Sequence, residues 1–348
     1  MKIGIICFTA AGRAVCGRLL SHFKENGDDC LAWAPQRLLE ECPGEEDIAP
    51  LEGGLSEWSR QRFEEGRAMI FIGAAGIAVR AVAPWVKDKL SDPPVVVLDE
   101  KARFVIPILS GHVGGGNRLA LRIGEWLGST PVITTATDVN GLFAVDVYAA
   151  EQGLVITDRR EAKSISAAVL EGERIGFFSD LKETFGRVPE GCAEEAGSHN
   201  IWITVKDETA PVSWERKGGS CLRLVPRAVV LGVGCRRGIR KEVLEKHVLK
   251  ALRDHQISLE SVKALATIDI KKDEKAILRL AEAYGWELRF YEAERLLAVE
   301  GDFKESAFVA RTVGVGNVCE RAAAAEGGQL LIHKQAGMGT AVAAALEV

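Results

Sequence analysis

Three side chains able to move or orient protons lie close together in the chain: Ser110, His112 and Asn117. They sit in the stretch Leu109-Ser110-Gly111-His112-Val113-Gly114-Gly115-Gly116-Asn117. An imidazole titrates near neutral pH, a hydroxyl can attack or orient, and a carboxamide both donates and accepts. The surrounding glycines permit positive φ and close approach of a ligand to the backbone. Amides in the first turn of a following helix favour negative charge. The same residues also suit an ordinary strand-to-helix turn with incidental polar groups. The spacing is not GxGxxG or a P-loop, and Ser110 lacks the flanking glycines of a nucleophile elbow. Further along, Asp138 and Asp146 flank Asn140-Gly141, and each is a cap, a turn residue or a catalytic carboxylate, with the plain turn role favoured for Asp146.

A second glycine turn, Gly232-Val233-Gly234-Cys235-Arg236-Arg237-Gly238, is one residue too long for the dinucleotide fingerprint. An acidic ribose partner is also missing at the usual distance, so a nicotinamide cofactor is disfavoured. Arg236 and Arg237 suit bidentate binding of carboxylates, or are a pair of solvated surface charges. Cys235 in such a turn can have a lowered thiol pKa, although nothing else marks it as a nucleophile. Lys334 and Glu320 are candidates to complete an acid-binding surface, with Glu320 equally a first-turn charge favoured by the helix dipole.

The elements that would carry these turns are legible from periodicity. Lys2 to Phe8, Cys30 to Ala34, Ala68 to Ile72, Val95 to Leu98, Arg103 to Ile108 and Val132 to Thr134 read as strands, and the helical stripe Leu119, Leu121, Ile123, Trp126 and Leu127 follows the first turn. Near-continuous apolar strands alternating with helices predict a mostly parallel sheet covered on both faces. From about 140 to 225 short strands alternate with polar, glycine-containing segments, and Lys217 to Ser220 suits a hairpin turn. After that the α/β pattern restarts, with strands at Arg227 to Leu231, Val262 to Ile268, Glu287 to Tyr291, Val309 to Thr312, Leu330 to Ile332 and Val342 to Leu346. The expected fold is therefore multi-domain α/β. Three-layer α/β/α domains over 1–139 and 226–348 flank a small middle domain over 140–225.

The 348-residue chain has a formal net charge of −5, which argues against non-specific nucleic-acid binding and requires a local basic cluster for any acidic ligand. Eight dispersed cysteines without a CxxC pair and six dispersed histidines give no sign of a structural metal site. No apolar run has the length of a membrane span, and the opening MKIGIICFTA reads as a strand and not a signal peptide, so the expectation is a cytoplasmic protein without a membrane partner.

The first turn, written Leu-Ser-Gly-His-x-Gly-Gly-x-Asn-x-Leu-Ala, resembles the signature of the cobalt-precorrin 5A hydrolases, the CbiG family of anaerobic cobalamin biosynthesis. Phe71 to Pro84, Thr134 to Asp138 with Asn140-Gly141, and Gly232 to Gly238 match the same family in order, as do Thr267 to Asp269, Val315 to Glu320 and Lys334 to Ala343. The resemblance implies a cobalt tetrapyrrole substrate bearing acetate and propionate arms and a ring-A δ-lactone. Water would open the lactone and acetaldehyde would leave. Cobalt would arrive on the substrate, with no cofactor of the protein's own. Chemistry then assigns His112 as base, Asn117 and the amides of Gly114, Gly115 and Gly116 as oxyanion donors, and Asp138 as the next candidate base. Ser110 would orient His112 or act as nucleophile. Arg236, Arg237, Glu320 and Lys334 would hold carboxylates. Two alternatives remain: a non-catalytic tetrapyrrole carrier handing an intermediate between the pathway's methyltransferases, and a phosphate- or nucleotide-binding α/β enzyme.

Overall fold

The computed structural model describes the chain apart from residues 43–46, 89–90, 113, 209–218, 306–310, 312–313 and 348. The chain divides into two compact units, Met1–Leu142 and Phe143–Val348.

The first unit is built on seven strands: β1 (Lys2–Cys7), β2 (Asp29–Ala34), β3 (Ile48–Pro50), β4 (Ala68–Ile72), β5 (Val95–Leu98), β6 (Phe104–Leu109) and β7 (Thr130–Pro131), in the order β3-β2-β1-β4-β5-β6-β7. Strands β4 and β5 are buried along their whole length, which accounts for their unbroken apolar sequence. Alternate residues of β1 face opposite layers. Ile3, Ile5 and Cys7 pack with Leu19, Phe23, Leu119 and Ile123 of the helices Ala10–Glu25 and Gly116–Leu127. Ile6, with Met69 and Phe71 of β4, packs against Trp58, Ala78 and Ala81 of the helices Leu55–Glu64 and Ala75–Val82. This is a three-layer α/β/α arrangement.

The pairings are parallel except β5 with β6, where Leu109 stands opposite Val95 and Val105 opposite Leu98. The carboxyl end of β6 therefore lies at the amino end of β5. The glycine turn that follows β6 is on the opposite sheet edge from the loops that leave β1, β2, β4 and β5. Val132 to Thr134 is irregular, since β7 ends at Pro131.

In the second unit, β8 (Leu154–Ile156), β9 (Ile175–Ser179), β10 (Cys192–Ala193), β11 (His199–Ile203) and β12 (Ser220–Pro226) form a sheet ordered β10-β9-β11-β12-β8. The sequence reading missed its helices. Val145–Glu151 and Arg159–Leu170 cover one face through Val145, Ala149, Ile165 and Val169. The start of the second was signalled by Asp158, whose carboxylate accepts from Arg160 N at 2.7 Å and Glu161 N at 3.2 Å. Of the turn at Lys217 to Ser220, the first two residues lie outside the described residues.

A further sheet holds β13 (Val229–Cys235), β14 (Val262–Ile268), β15 (Glu287–Tyr291), β16 (Gln329–Gly337) and β17 (Thr340–Leu346) in the order β15-β14-β13-β17-β16. The first three are parallel, while β17 pairs antiparallel with β13 and, as a hairpin, with β16. Leu231 and Val233 pack with Leu244, Val248, Ile277 and Leu280 of the helices Lys241–Asp254 and Lys275–Tyr284. On the other face lies the helix Val318–Ala324, so close that a Cβ added to Gly232 would come 1.8 Å from the carbonyl oxygen of Cys319. The strand expected at Val309 to Thr312 falls largely outside the described residues.

Candidate functional site

The turn after β6 is held by backbone bonds that its glycines make possible. A Cβ on Gly114 would meet Ser110 Cβ at 2.4 Å, and one on Gly111 would meet Asn117 Oδ1 at 2.6 Å. Ser110 itself has φ +49°, a left-handed conformation that costs a non-glycine residue energy and marks functional turns. Its Oγ is buried with no hydrogen-bond partner among the described residues. Ser110 therefore does not orient His112.

The first amides of the helix Gly116–Leu127 are not open to a ligand. Gly115 N donates to His112 O at 3.1 Å, Gly116 N to Ser110 O at 3.1 Å and Asn117 N to Gly111 O at 2.6 Å. Of the three amides expected to form an oxyanion site, the turn uses those of Gly115 and Gly116 to fold back on itself.

Asn117 is buried, and both its amide protons are committed. Nδ2 donates to Thr135 Oγ1 at 3.0 Å and to Asp138 Oδ2 at 2.5 Å. The other Asp138 oxygen, Oδ1, faces His112 Nε2 at 3.8 Å, and Thr137 Oγ1 lies 3.3 Å from the same nitrogen. The structure therefore brings His112, Asp138 and Asn117 into one line. Asn117 spends both its amide protons within this group. His112 is mostly covered and Asp138 is about one-third exposed, so the array opens toward solvent at the carboxylate. Sequence reasoning missed Thr135 and Thr137, although both stand in the Thr134 to Asp138 motif. Asp146 lies in the first turn of the helix Val145–Glu151, with Oδ1 accepting from Val147 N at 3.1 Å.

Of the residues expected to bind acids in the second unit, Glu320 and Lys334 meet each other, and Arg237 lines a groove without them. Arg236 is exposed, and its backbone amide donates to Gly339 O at 2.9 Å. Gly238, at φ +73°, donates its amide to the Glu274 carboxylate at 3.1 and 3.3 Å. Arg237 borders a surface groove, which neither Arg236, Glu320 nor Lys334 lines. Burial pushes the Cys235 thiol up to about 11, the reverse of a lowered value.

Glu320 is fully buried and has a structural duty. Its Oε1 accepts from Lys334 N at 2.6 Å and faces His333 Nδ1 at 3.4 Å. Its Oε2 accepts from Lys304 N at 3.2 Å and from Asn317 Nδ2. Asn317 in turn caps the helix, accepting from Glu320 N at 3.1 Å. The spacing Asn317-x-x-Glu320 is that of a capping box and was the available signal. Both its carboxylate oxygens are thus engaged inside the fold.

One further polar cluster has the residue types of a hydrolase. His199 Nδ1 lies 2.9 Å from Ser220 Oγ and 3.2 Å from Glu161 Oε1, and Ser220 also donates to Glu161. A relay needs the serine and the carboxylate on opposite imidazole nitrogens. Here both meet the same one, at the amino ends of β11 and β12, so the cluster ties the sheet to the helix Arg159–Leu170.

Comparison with known proteins gives three family matches in chain order. The cobalamin synthesis G N-terminal model matches residues 57–138, the cobalamin biosynthesis central region 143–226, and the cobalamin synthesis G C-terminus 229–345. A cobalt-precorrin-5A hydrolase from Salmonella typhimurium is 35% identical over 336 residues, covering 92% of this chain and 91% of that protein. Another from Priestia megaterium is 33% identical over 271 residues, 73% of this chain and 71% of that one. A cobalamin biosynthesis protein G homolog of solved structure, from Sulfolobus solfataricus, aligns over 100% of this chain and 97% of its own at 20% identity, with a TM-score of 0.41.

Proposed function

The chain belongs to the cobalamin synthesis G family, and we propose that it is a cobalt-precorrin-5A hydrolase, opening the substrate's δ-lactone and releasing acetaldehyde. The observation that carries this reading is that a likeness to such hydrolases runs nearly the length of the chain. His112, Asp138 and Asn117 supply a proton-handling array within it.

Water adds to the lactone carbonyl as His112 takes its proton, and collapse of the tetrahedral intermediate breaks the ring C–O bond. A carboxylate and a free hydroxyl result. Removal of the hydroxyl proton then lets the adjacent C–C bond break; its electron pair passes to the macrocycle, and the two-carbon fragment leaves as acetaldehyde. Thr137 and Asp138 both stand on the Nε2 side of His112. A proton held on Nε2 toward these oxygens keeps the imidazole neutral, the form able to take a proton from water. Asn117 fixes the carboxylate, and so the tautomer. Ser110 touches no base and is read as a strained turn residue, not the nucleophile. Cobalt is part of the substrate in this reading.

The test is anaerobic incubation of the protein with cobalt-precorrin 5A, with acetaldehyde followed by coupled reduction. Stoichiometric acetaldehyde is expected. Tight binding without acetaldehyde would leave the carrier reading in its place.

A further inference from the structure

We infer that the groove beside Arg237 is a docking site for the carboxylate arms along one edge of a tetrapyrrole. This rests on the substrate class proposed above and adds the residues that hold it. The groove has a volume of about 540 Å³ and lies where the helices Lys241–Asp254 and Lys275–Tyr284 begin. Six cationic side chains line it: Arg237, Arg240, Lys241, Lys271, Lys275 and Arg279. Three acidic residues are also there, and one of them, Glu274, is buried and occupied by Gly238 N.

The chain as a whole is acidic, and among the described residues a part of its surface cations pair with carboxylates. Lys241 is one of these, 3.6 Å from Glu245. Among the described residues, Arg237, Arg240, Lys271, Lys275 and Arg279 form no ion pair. Six cations against three carboxylates leave the concavity net positive, and an anion that fills it relieves the repulsion among them.

The form of the groove narrows the anion. Its cations come from residues spread between 237 and 279 on two turns and two helices, so they suit several separate single charges more than one compact phosphate. No glycine-rich nest of amides is present, since Gly238 N is taken. Ile239 and Ile270 add apolar surface, and Ile270 is 56% exposed, an otherwise unexplained position for a large aliphatic chain. A pyrrole ring with its acetate and propionate arms offers this combination of flat apolar body and dispersed carboxylates.

The probe is uroporphyrin III, an octacarboxylate, bound to the full chain and followed by fluorescence quenching, with its octamethyl ester as the uncharged counterpart. Lys275→Glu with Arg279→Glu should weaken uroporphyrin binding by about 10- to 100-fold, as expected for loss of charge-assisted hydrogen bonds. The milder pair Lys275→Gln with Arg279→Gln, with circular dichroism unchanged, should lie between. The charge-matched pair Lys163→Glu with Lys182→Glu, exposed elsewhere in the unit, should have no effect.

Equal loss from both glutamate pairs, or none from the groove pair, would overturn the proposal. So would binding of the ester as tightly as the acid, or displacement of the porphyrin by micromolar inorganic phosphate. Failure of the hydrolase reading is separable: it shows as no acetaldehyde from unmodified protein while the groove variants still lose the porphyrin. Acetaldehyde release with an unchanged KM in the groove variants would remove the groove alone.

Discussion

Asn117 Nδ2 and Asp138 Oδ2 meet at 2.5 Å across 21 residues of sequence, joining the helix after β6 to the short helix Ala136–Val139. This bond ties the glycine turn carrying His112 to the carboxylate facing it. Asn117→Ala should therefore act through Asp138, lowering kcat for acetaldehyde release with little change in KM. Asn117→Asp should not rescue it, since it sets a second carboxylate against the first. A change confined to KM would show that Asn117 contacts substrate instead.

His112→Ala is expected to cut acetaldehyde release by ~10²–10⁴-fold, the range for a general base, while porphyrin binding and circular dichroism stay as they were. His112→Asn should fail alike, because a carboxamide cannot take a proton at neutral pH. If His112→Ala proceeds at the original rate, Asp138 is the next residue to replace.

Ser110→Ala separates strain from chemistry. The buried Oγ has no partner among the described residues, so its removal should leave stability unchanged or raise it by about 1 kcal/mol, the cost of an unsatisfied hydroxyl. Activity should stay within about tenfold of the original, well short of the loss expected for a base or nucleophile. A collapse of activity in a protein with unchanged melting would restore Ser110 as nucleophile.

Much of the fold was legible because burial on both sheet faces demands unbroken apolar runs, and these stood out at β1, β4, β5 and β14. Strand direction was not, since Phe104 to Leu109 reads alike whether β6 runs with β5 or against it. His112 and Asp138 could be named from residue type and motif. The two threonines beside them could not, because hydroxyls serve caps and turns so often. The groove was least legible: only Arg237 lay in a turn, and its partners looked like ordinary charges on solvated helix faces.

Acid should loosen the second unit through Glu347. Burial alone raises its carboxyl, but hydrogen bonds from Arg289 and Lys263 outweigh this and hold it below its ordinary value of about 4.5. Folding therefore gains stability from the ionised form above that value. The gain is lost as pH falls through the lower folded value. Glu347→Gln should flatten the acid limb of a pH–melting curve, leaving the neutral region lower but level. An unchanged acid limb would assign the loss to other carboxylates.

Glu320→Ala should cost about 3–5 kcal/mol, as for a buried charged group removed from its partners, because the backbone amides of Lys304 and Lys334 lose their acceptor together. Denaturant unfolding with fluorescence detection would show it, and a loss under 1 kcal/mol would mean that water replaces the carboxylate.

The contact of Gly232 with Cys319 belongs to a seam made almost wholly of small residues, with Ala323 and Ala324 of the helix against Ala343 and Ala345 of β17. Alanine and glycine have no side-chain torsions, so where they meet the seam has none to readjust. There it cannot absorb a disturbance by swapping rotamers. Any displacement of β13 must carry the helix Val318–Ala324 along as a single stiff plate. For the same reason sequence drift there is one-sided: no residue is smaller than glycine, so position 232 can change only by enlarging and prising the plate apart.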